Sequence, residues 1–159
     1  MILRFLLIVS LFFYGCNNDI KKHIETSNQY RVNKEYGKAI IELKDIEKNN
    51  SNSKKLDQVN FLLGEIYLND IKDYNYAIQE FKKIAEKSNL YAKSIFMIGY
   101  IYSNNLNEYS KAIKYYKLFI DNFSGHELYP SVEYELEQLS KYEEIIDSLN
   151  VIAKSRKGA

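Results

Sequence analysis

Catalytic chemistry in a chain of this kind would announce itself through nucleophiles, imidazoles and carboxylates held in pairs, and few are present. Cys16 is the only thiol, and the two imidazoles, His23 and His126, lie about a hundred residues apart. A lone cysteine excludes an internal disulfide and any multi-cysteine metal site. There is no His-x-x-x-His pair, no glycine-rich phosphate loop and no Gly-x-Ser-x-Gly elbow. Adjacent acids such as Glu143 and Glu144 read as a solvated helix face, because general acid–base work needs carboxylates converging from different elements. The 22 Lys and Arg are interleaved with 21 Asp and Glu, for a net charge of +1, so no basic stripe is offered to nucleic acid. The expectation is no enzyme, no cofactor and no metal, with structural or solvent-facing roles for both histidines. The residue set apart by its surroundings is Cys16.

Those surroundings are ordered. Arg4 is followed by an apolar run, Phe5 to Tyr14, broken only by Ser10, and then by Gly15, Cys16 and the polar Asn17, Asn18 and Asp19. A spanning helix needs about 20 apolar residues, so this run is short for one and fits a signal-peptide core. Gly15-Cys16 after such a core resembles the bacterial lipobox, with Phe13 where Leu is usual and Tyr14 where Ala, Ser or Thr is usual. The resemblance implies a signal peptide over 1–15, a diacylglycerol on the Cys16 thiol, and a short linker through residue 19. Acyl anchoring is additive at about 0.8 kcal/mol per buried CH₂. Asn17 directly after the cysteine implies, by the enteric sorting rule, the outer membrane with the protein facing the periplasm; the inner membrane and the cell surface stay open. An uncleaved anchor is the other reading of the same segment.

The elements that follow are helical. The chain has one Pro, six Gly and no Trp, and it is rich in helix formers. Three segments align without gaps, beginning Glu35-Tyr36, Asp73-Tyr74 and Glu108-Tyr109 and carrying Ala39, Ala77 and Ala112 three residues after the Tyr. Large apolar residues stand four and seven beyond each Ala: Leu43 and Ile46, Phe81 and Ile84, Tyr116 and Phe119. That spacing is one helix face, with Ala where a neighbouring helix must come close. A second element, Leu63-Gly64-Glu-Ile-Tyr67 and Ile98-Gly99-Tyr-Ile-Tyr102, recurs with the same 35-residue period as Ala77 and Ala112. Ser27 and Tyr30 hold the corresponding places in the first unit, and Asn49 to Ser53 absorb its longer spacing as a loop.

These residues resemble the tetratricopeptide repeat (TPR) family, with Leu-Gly-x-x-Tyr on a helix A and Ala-x-x-x-Phe on a helix B. The resemblance covers residues 20–123. It implies an all-α, right-handed superhelical solenoid of three helical hairpins, in which Tyr36, Ala39, Gly64, Tyr67, Tyr74, Ala77, Phe81, Gly99, Tyr102, Tyr109, Ala112 and Tyr116 pack the repeats. Two repeats carry one extra residue between helices A and B, and the family's Trp position holds His23, Asn60 and Ile95. In TPR proteins helix A lines a binding groove; by position this implies Asn28, Arg31, Gln58, Phe61, Glu65, Leu68, Asn69, Lys93, Phe96, Tyr100, Ser103 and Asn104 as partner contacts.

Pro130 is placed to open a last helix, expected over 129–150, with a frayed tail at 151–159. Val132, Leu136, Leu139, Ile146 and Leu149 give it an apolar side. It caps the solenoid's final face or, on the other reading, dimerises or binds a partner. Lipid and repeats together resemble the TPR lipoprotein subunit of the outer-membrane β-barrel assembly machinery, which has five repeats, and the periplasmic TPR coordinator of cell-wall synthesis. They imply an envelope scaffold that binds proteins, the alternatives being a self-associating structural lipoprotein or a ligand-binding or enzymatic one, with membrane contact through Cys16, no nucleic acid, and a homodimer left open.

Overall fold

The computed structural model describes residues 20–49 and 53–157. The expected signal peptide, Cys16, the linker and the middle of the 49–53 loop lie outside them. Among the described residues the chain is a succession of helices without strands. α1 spans 20–32 and α2 Tyr36–Asn49. α3 is Ser53–Glu65 and runs on into a π-helical segment, Ile66–Ile71. α4 is Tyr74–Lys82; α5 is Tyr91–Tyr100 with a π-helical extension, Ile101–Asn105. α6 is Tyr109–Asn122 and α7 Tyr129–Lys157. Helices α1/α2, α3/α4 and α5/α6 are the A and B members of three hairpins, and the fold is an all-α, TPR-like solenoid. The tail expected to fray from residue 151 is helical to Lys157.

Each hairpin closes on a small-to-large contact. Ala39, Ala77 and Ala112 have no exposed surface, and neither have Leu43 and Tyr116 four residues further on. A Cβ placed on Gly64 would stand 2.6 Å from the Phe81 ring, and one on Gly99 2.6 Å from the Tyr116 ring. Glycine is therefore the only residue that lets these rings lie flat on helix A. Hairpin one uses Ser27, buried, whose Oγ donates to the Ala39 carbonyl at 3.0 Å, opposite the smaller Leu43. Tyr116 occupies the Phe position of hairpin three, and burial pushes its phenol far above the ordinary value.

α3 holds the stack together by burying two sides. Val59, Leu63 and Ile66 join Ala39, Leu43 and Ile46 in one cluster. Phe61 and Leu68 join a second, larger cluster that runs through Phe81, Ile98 and Phe119 to Val132 and Leu139 on α7. A helix apolar on more than one side is a central one.

The extra residue of repeats two and three is taken up as π-helix. In repeat one the Glu35 N–H donates to the Tyr30 carbonyl, five residues back, at 2.8 Å, and Lys34 N–H to Arg31 at 2.9 Å, which is a Schellman closure. In the others the equivalent donors, Asp73 and Glu108, reach the equivalent Tyr67 and Tyr102 carbonyls, also at 2.8 Å, six residues back. The acid and the tyrosine keep their partnership, and the surplus residue widens the last turn of helix A. The turn is completed by a left-handed residue in each case: Lys34 (φ 60°), Lys72 (φ 62°) and Asn107 (φ 55°).

The end of the stack is also legible. The turns before α5 and α7 are the same: Tyr91 N–H donates to Ser88 and Tyr129 N–H to His126, at 3.1 and 2.9 Å. Ser88 Oγ and His126 Nδ1 accept from Leu90 and Leu128 N–H, at 3.3 and 3.1 Å. Superposing the turns places Glu137 where α5 has Gly99. A further helix B could not seat an aromatic ring there, and Glu137 instead bonds Lys141 at 2.6 Å. α7 thus occupies a helix-A position and ends the series.

Three substitutions separate these effects. Gly99→Ala gains about 1 kcal/mol of helix propensity but drives a methyl into a buried ring, an overpacking cost of roughly 1–3 kcal/mol; a net loss is expected. Gly37→Ala, with nothing within 4 Å, should be neutral or stabilising. Lys72→Gly should raise stability by about 1 kcal/mol by relieving the left-handed lysine. Urea midpoints measure all three, and equal values for the two alanine variants would refute the ring-on-glycine packing.

Candidate partner-binding face

The outward side of α5 carries Lys93, Tyr100 and Asn104, all exposed, with Phe96 half-buried between them. They lie on one face because 93, 96, 100 and 104 follow the helical period. Phe96 sits 6.3 Å from both the buried Tyr116 ring and the Tyr100 ring, so a line of aromatics leads from the core to Tyr100, which is 40% exposed. Asn104 Nδ2 donates to the Tyr100 carbonyl at 3.3 Å and is braced on its own helix. On α3, Asn69 and Gln58 are exposed and Glu65 half-buried; on α1, Asn28 is exposed. Three expected contacts are corrected: Phe61, Leu68 and Ser103 are buried. Phe61 turns inward because it meets Phe81 edge-on at 5.2 Å, and it offers only its other side, covered by Lys93 Nζ at 4.8 Å.

The face is stapled across repeats. Arg31 Nε donates to Asp70 at 2.8 Å, joining α1 to the π-helical end of α3, while Lys93 over Phe61 joins α5 to α3. Asp70 escapes a sequence reading because the widened turn decides where it points. Val32, 82% exposed, lines a shallow cleft with Asn28, Gln29 and Asn33; it too was missed, since hydrophobic spacing alone assigns a valine inward.

The recurring tyrosines have a common cover. The residue before each Ala lies over the Tyr of helix A: Lys38 over Tyr30 at 5.5 Å, Tyr76 stacked on Tyr67 at 5.3 Å, and Lys111 over Tyr102 at 5.2 Å. Cation and ring are interchangeable there, as expected of a π face. Of the expected packing residues, Tyr102 is buried, and Tyr36, Tyr67, Tyr74 and Tyr109 are half-buried.

The B helices carry a closed ring of four charges. Lys44 Nζ donates to Glu80 at 2.7 Å and to Glu47 at 3.0 Å; Lys83 Nζ donates to Glu47 at 2.9 Å and makes an ion pair with Glu80 at 2.7 Å. The Glu80 side chain is only 4% exposed, and a buried carboxylate is tolerable only when paired. Burial works against the Lys44 charge, yet the hydrogen bonds it donates to Glu80 and Glu47 hold it well above the usual lysine range. For Glu47, burial likewise favours the neutral form, but Lys83 and Lys44 win and hold it below the usual carboxylate range. The ring ties α2 to α4. Its two pairs within a helix are three residues apart, and its two pairs between helices are 36 apart, about one repeat, which is the signal that could have found it.

The two histidines lie apart, one between helices and one in a turn. His23 Nδ1 lies 2.6 Å from Glu42 between α1 and α2, and His126 caps a turn against the Phe119 ring at 5.4 Å. Among the described residues no group of three or more His, Cys, Asp and Glu is gathered for a metal, and no helix is long and apolar enough to cross a membrane.

A family model described as tetratricopeptide repeat matches residues 93–126, from the first turn of α5 to the turn before α7. The match falls on the third hairpin, which carries Gly99, Ala112 and Tyr116. No curated protein matches the chain.

The charge ring sets the sign of a pH dependence. Glu47 has a lowered folded value, so its contribution is present above about pH 4.5 and is lost as pH falls through the folded value. Lys44 has a raised value, so its contribution holds below about pH 10.5 and is lost as pH rises beyond. Lys44→Met should lower stability at neutral pH and flatten the acid limb, read from urea midpoints between pH 3 and 7. An unaltered acid limb would show that the ring is not coupled to folding.

Proposed function

We propose that the chain is a protein-interaction scaffold tethered to a bacterial envelope membrane through lipid on Cys16, facing the periplasm, and binding a protein partner along the A helices. TPR repeats generally mediate protein–protein interaction, and that coarse statement rests on the matched third hairpin. The observation that carries the finer reading is the α5 face. Tyr100 stands out from a line of rings anchored in the core, flanked by Lys93 and Asn104. Aromatic anchors held rigidly among polar neighbours dominate the affinity of protein interfaces. A rigid hairpin also spares the ordering entropy that a loop would lose on binding. The membrane tether rests on the order Arg4, apolar run, Gly15, Cys16. The outer membrane is favoured by Asn17.

Three measurements test this. A photo-crosslinking residue at Tyr100 should capture a partner in intact cells, whereas the same residue at Leu118, exposed on α6, should not. Tyr100→Ala should then weaken the captured complex by about tenfold or more. Cys16→Ser should move the chain from the membrane to the soluble fraction. Capture at Leu118 alone would remove the helix-A face from the proposal, and unchanged membrane association of Cys16→Ser would remove the lipid.

A further inference from the structure

We infer that the corner of the solenoid where α1 and α3 begin and α2 ends lies on an anionic phospholipid surface, and that this contact fixes how the repeats stand on the membrane. The inference rests on the lipid at Cys16 proposed above and adds an orientation to it. Four residue steps separate Cys16 from Ile20, where α1 begins. That length spans at most about 14 Å. A body held so closely turns one face to the bilayer, and the tether enters it at the corner around Ile20.

Three helices assemble that corner. The hairpins are antiparallel, so A helices begin and B helices end along the same edge. Ile20 is buried in one cluster with Ile46 and Val59, which sets the start of α1 against the end of α2 and the start of α3. Lys21 and Lys55 line a shallow cleft with Ile20 and Ile24. Further along the edge, Lys83 Nζ donates to Glu47 at 2.9 Å and the Ala85 N–H to Asp57 at 3.0 Å, so α4 ends beside them.

Charge at the corner is of one sign. Residues 20–25 and 48–55 hold five lysines, Lys21, Lys22, Lys48, Lys54 and Lys55, against one acid, Glu25. Lys22, Lys48 and Lys54 are exposed. Glu25 lies 3.7 Å from Lys21, with both side chains more than half exposed, a pair of little strength. Four of the lysines stand in the first turn of α1 or α3, where the helix dipole disfavours a cation; an anionic surface offsets that cost. The last helix has the opposite character, with six acids and one base, Lys141, between residues 129 and 152. The net charge of +1 therefore conceals a separation along the stack, basic where the tether enters and acidic at the far end. Beside an anionic surface such a body prefers one attitude, first corner down and α7 away. Each lysine brought to the surface strengthens the contact about fivefold, while the acyl chains keep the protein on the membrane. Tyr100 and Asn104 lie two hairpins along and toward the opposite edge, so their face stays open to a protein partner.

Acylated protein purified from membranes and rebuilt into vesicles gives the test, since the Cys16 thiol is then blocked and a single introduced cysteine takes the label. Fluorophores on Asn49→Cys, at the corner, and separately on Gln138→Cys, on α7, are read against quencher-bearing lipid headgroups; both positions are exposed. In phosphatidylcholine vesicles with about 30% phosphatidylglycerol, quenching at Asn49→Cys should exceed that at Gln138→Cys about threefold. It should fall by about half or more in phosphatidylcholine alone, or in about 0.5 M salt. Lys22→Glu with Lys48→Glu and Lys54→Glu should lower it equally, with co-flotation and the thermal melt unchanged, because those side chains are exposed and the acyl chains remain. Equal quenching at the two positions, or quenching indifferent to phosphatidylglycerol and to the triple variant, would overturn the contact. Intact mass separates this from failure of the underlying reading. A chain without acyl mass at Cys16 removes the tether and the contact with it, whereas an acylated chain giving either adverse result removes the contact alone.

Discussion

The structure depends on the contact between a ring on helix B and a glycine on helix A. Phe81 on Gly64 and Tyr116 on Gly99 set how close the two helices of a hairpin lie, and Ala77 and Ala112 let the neighbouring helix come equally near. A repeat hairpin cannot bury its apolar face alone. Repeat proteins distribute stability between units and their interfaces, and here α3 makes this visible by burying residues into both clusters. The first hairpin, with Ser27 and Leu43 in place of glycine and ring, keeps the same approach with less bulk and one hydrogen bond.

The π-helical ends of α3 and α5 follow from keeping a second contact constant. The N–H of the acid before each helix B bonds the carbonyl of the helix-A tyrosine in all three hairpins. When one more residue lies between them, the loop widens and the bond stays. The widened turn carries Asp70 to Arg31 on one side, and positions Asn104 beside Tyr100 on the other. A packing rule inside the hairpin thereby shapes the surface on which a partner is proposed to bind. Cross-repeat links then fix that surface: Arg31 with Asp70 and Lys93 over Phe61 on the A helices, and the Lys44, Glu47, Lys83 and Glu80 ring on the B helices. The ring is effective because Glu80 is buried; exposed pairs of the same kind, such as Lys141 with Glu137, contribute little.

Termination is as local as propagation. α7 enters through the same turn as α5, with His126 doing the work of Ser88, and then presents Glu137 where a ring-accepting glycine would be needed. That carboxylate leaves no seat for a ring in this register. α6 reaches as far as Tyr142 and Glu143, and from residue 144 to 152 the helix is exposed, its apolar residues having changed sides between Leu139 and Ile145.

The sequence by itself determined the helices, the hairpin pairing and the repeat register, because Ala, Gly and the large apolar residues recur at one period and each spacing has a single geometric meaning. It also separated Cys16 from the body of the chain by composition alone. Tertiary structure decided which residues of a helix face solvent when two sides are apolar: Phe61, Leu68 and Ser103 were placed on the outer face by position, yet neighbouring helices bury them. It decided the partners of charged residues as well, since Arg31 with Asp70 and Lys44 with Glu80 are separated by about one repeat and meet only when hairpins stack. Periodicity reports how a helix faces its own axis. What lies opposite that face is set by the packing of other helices.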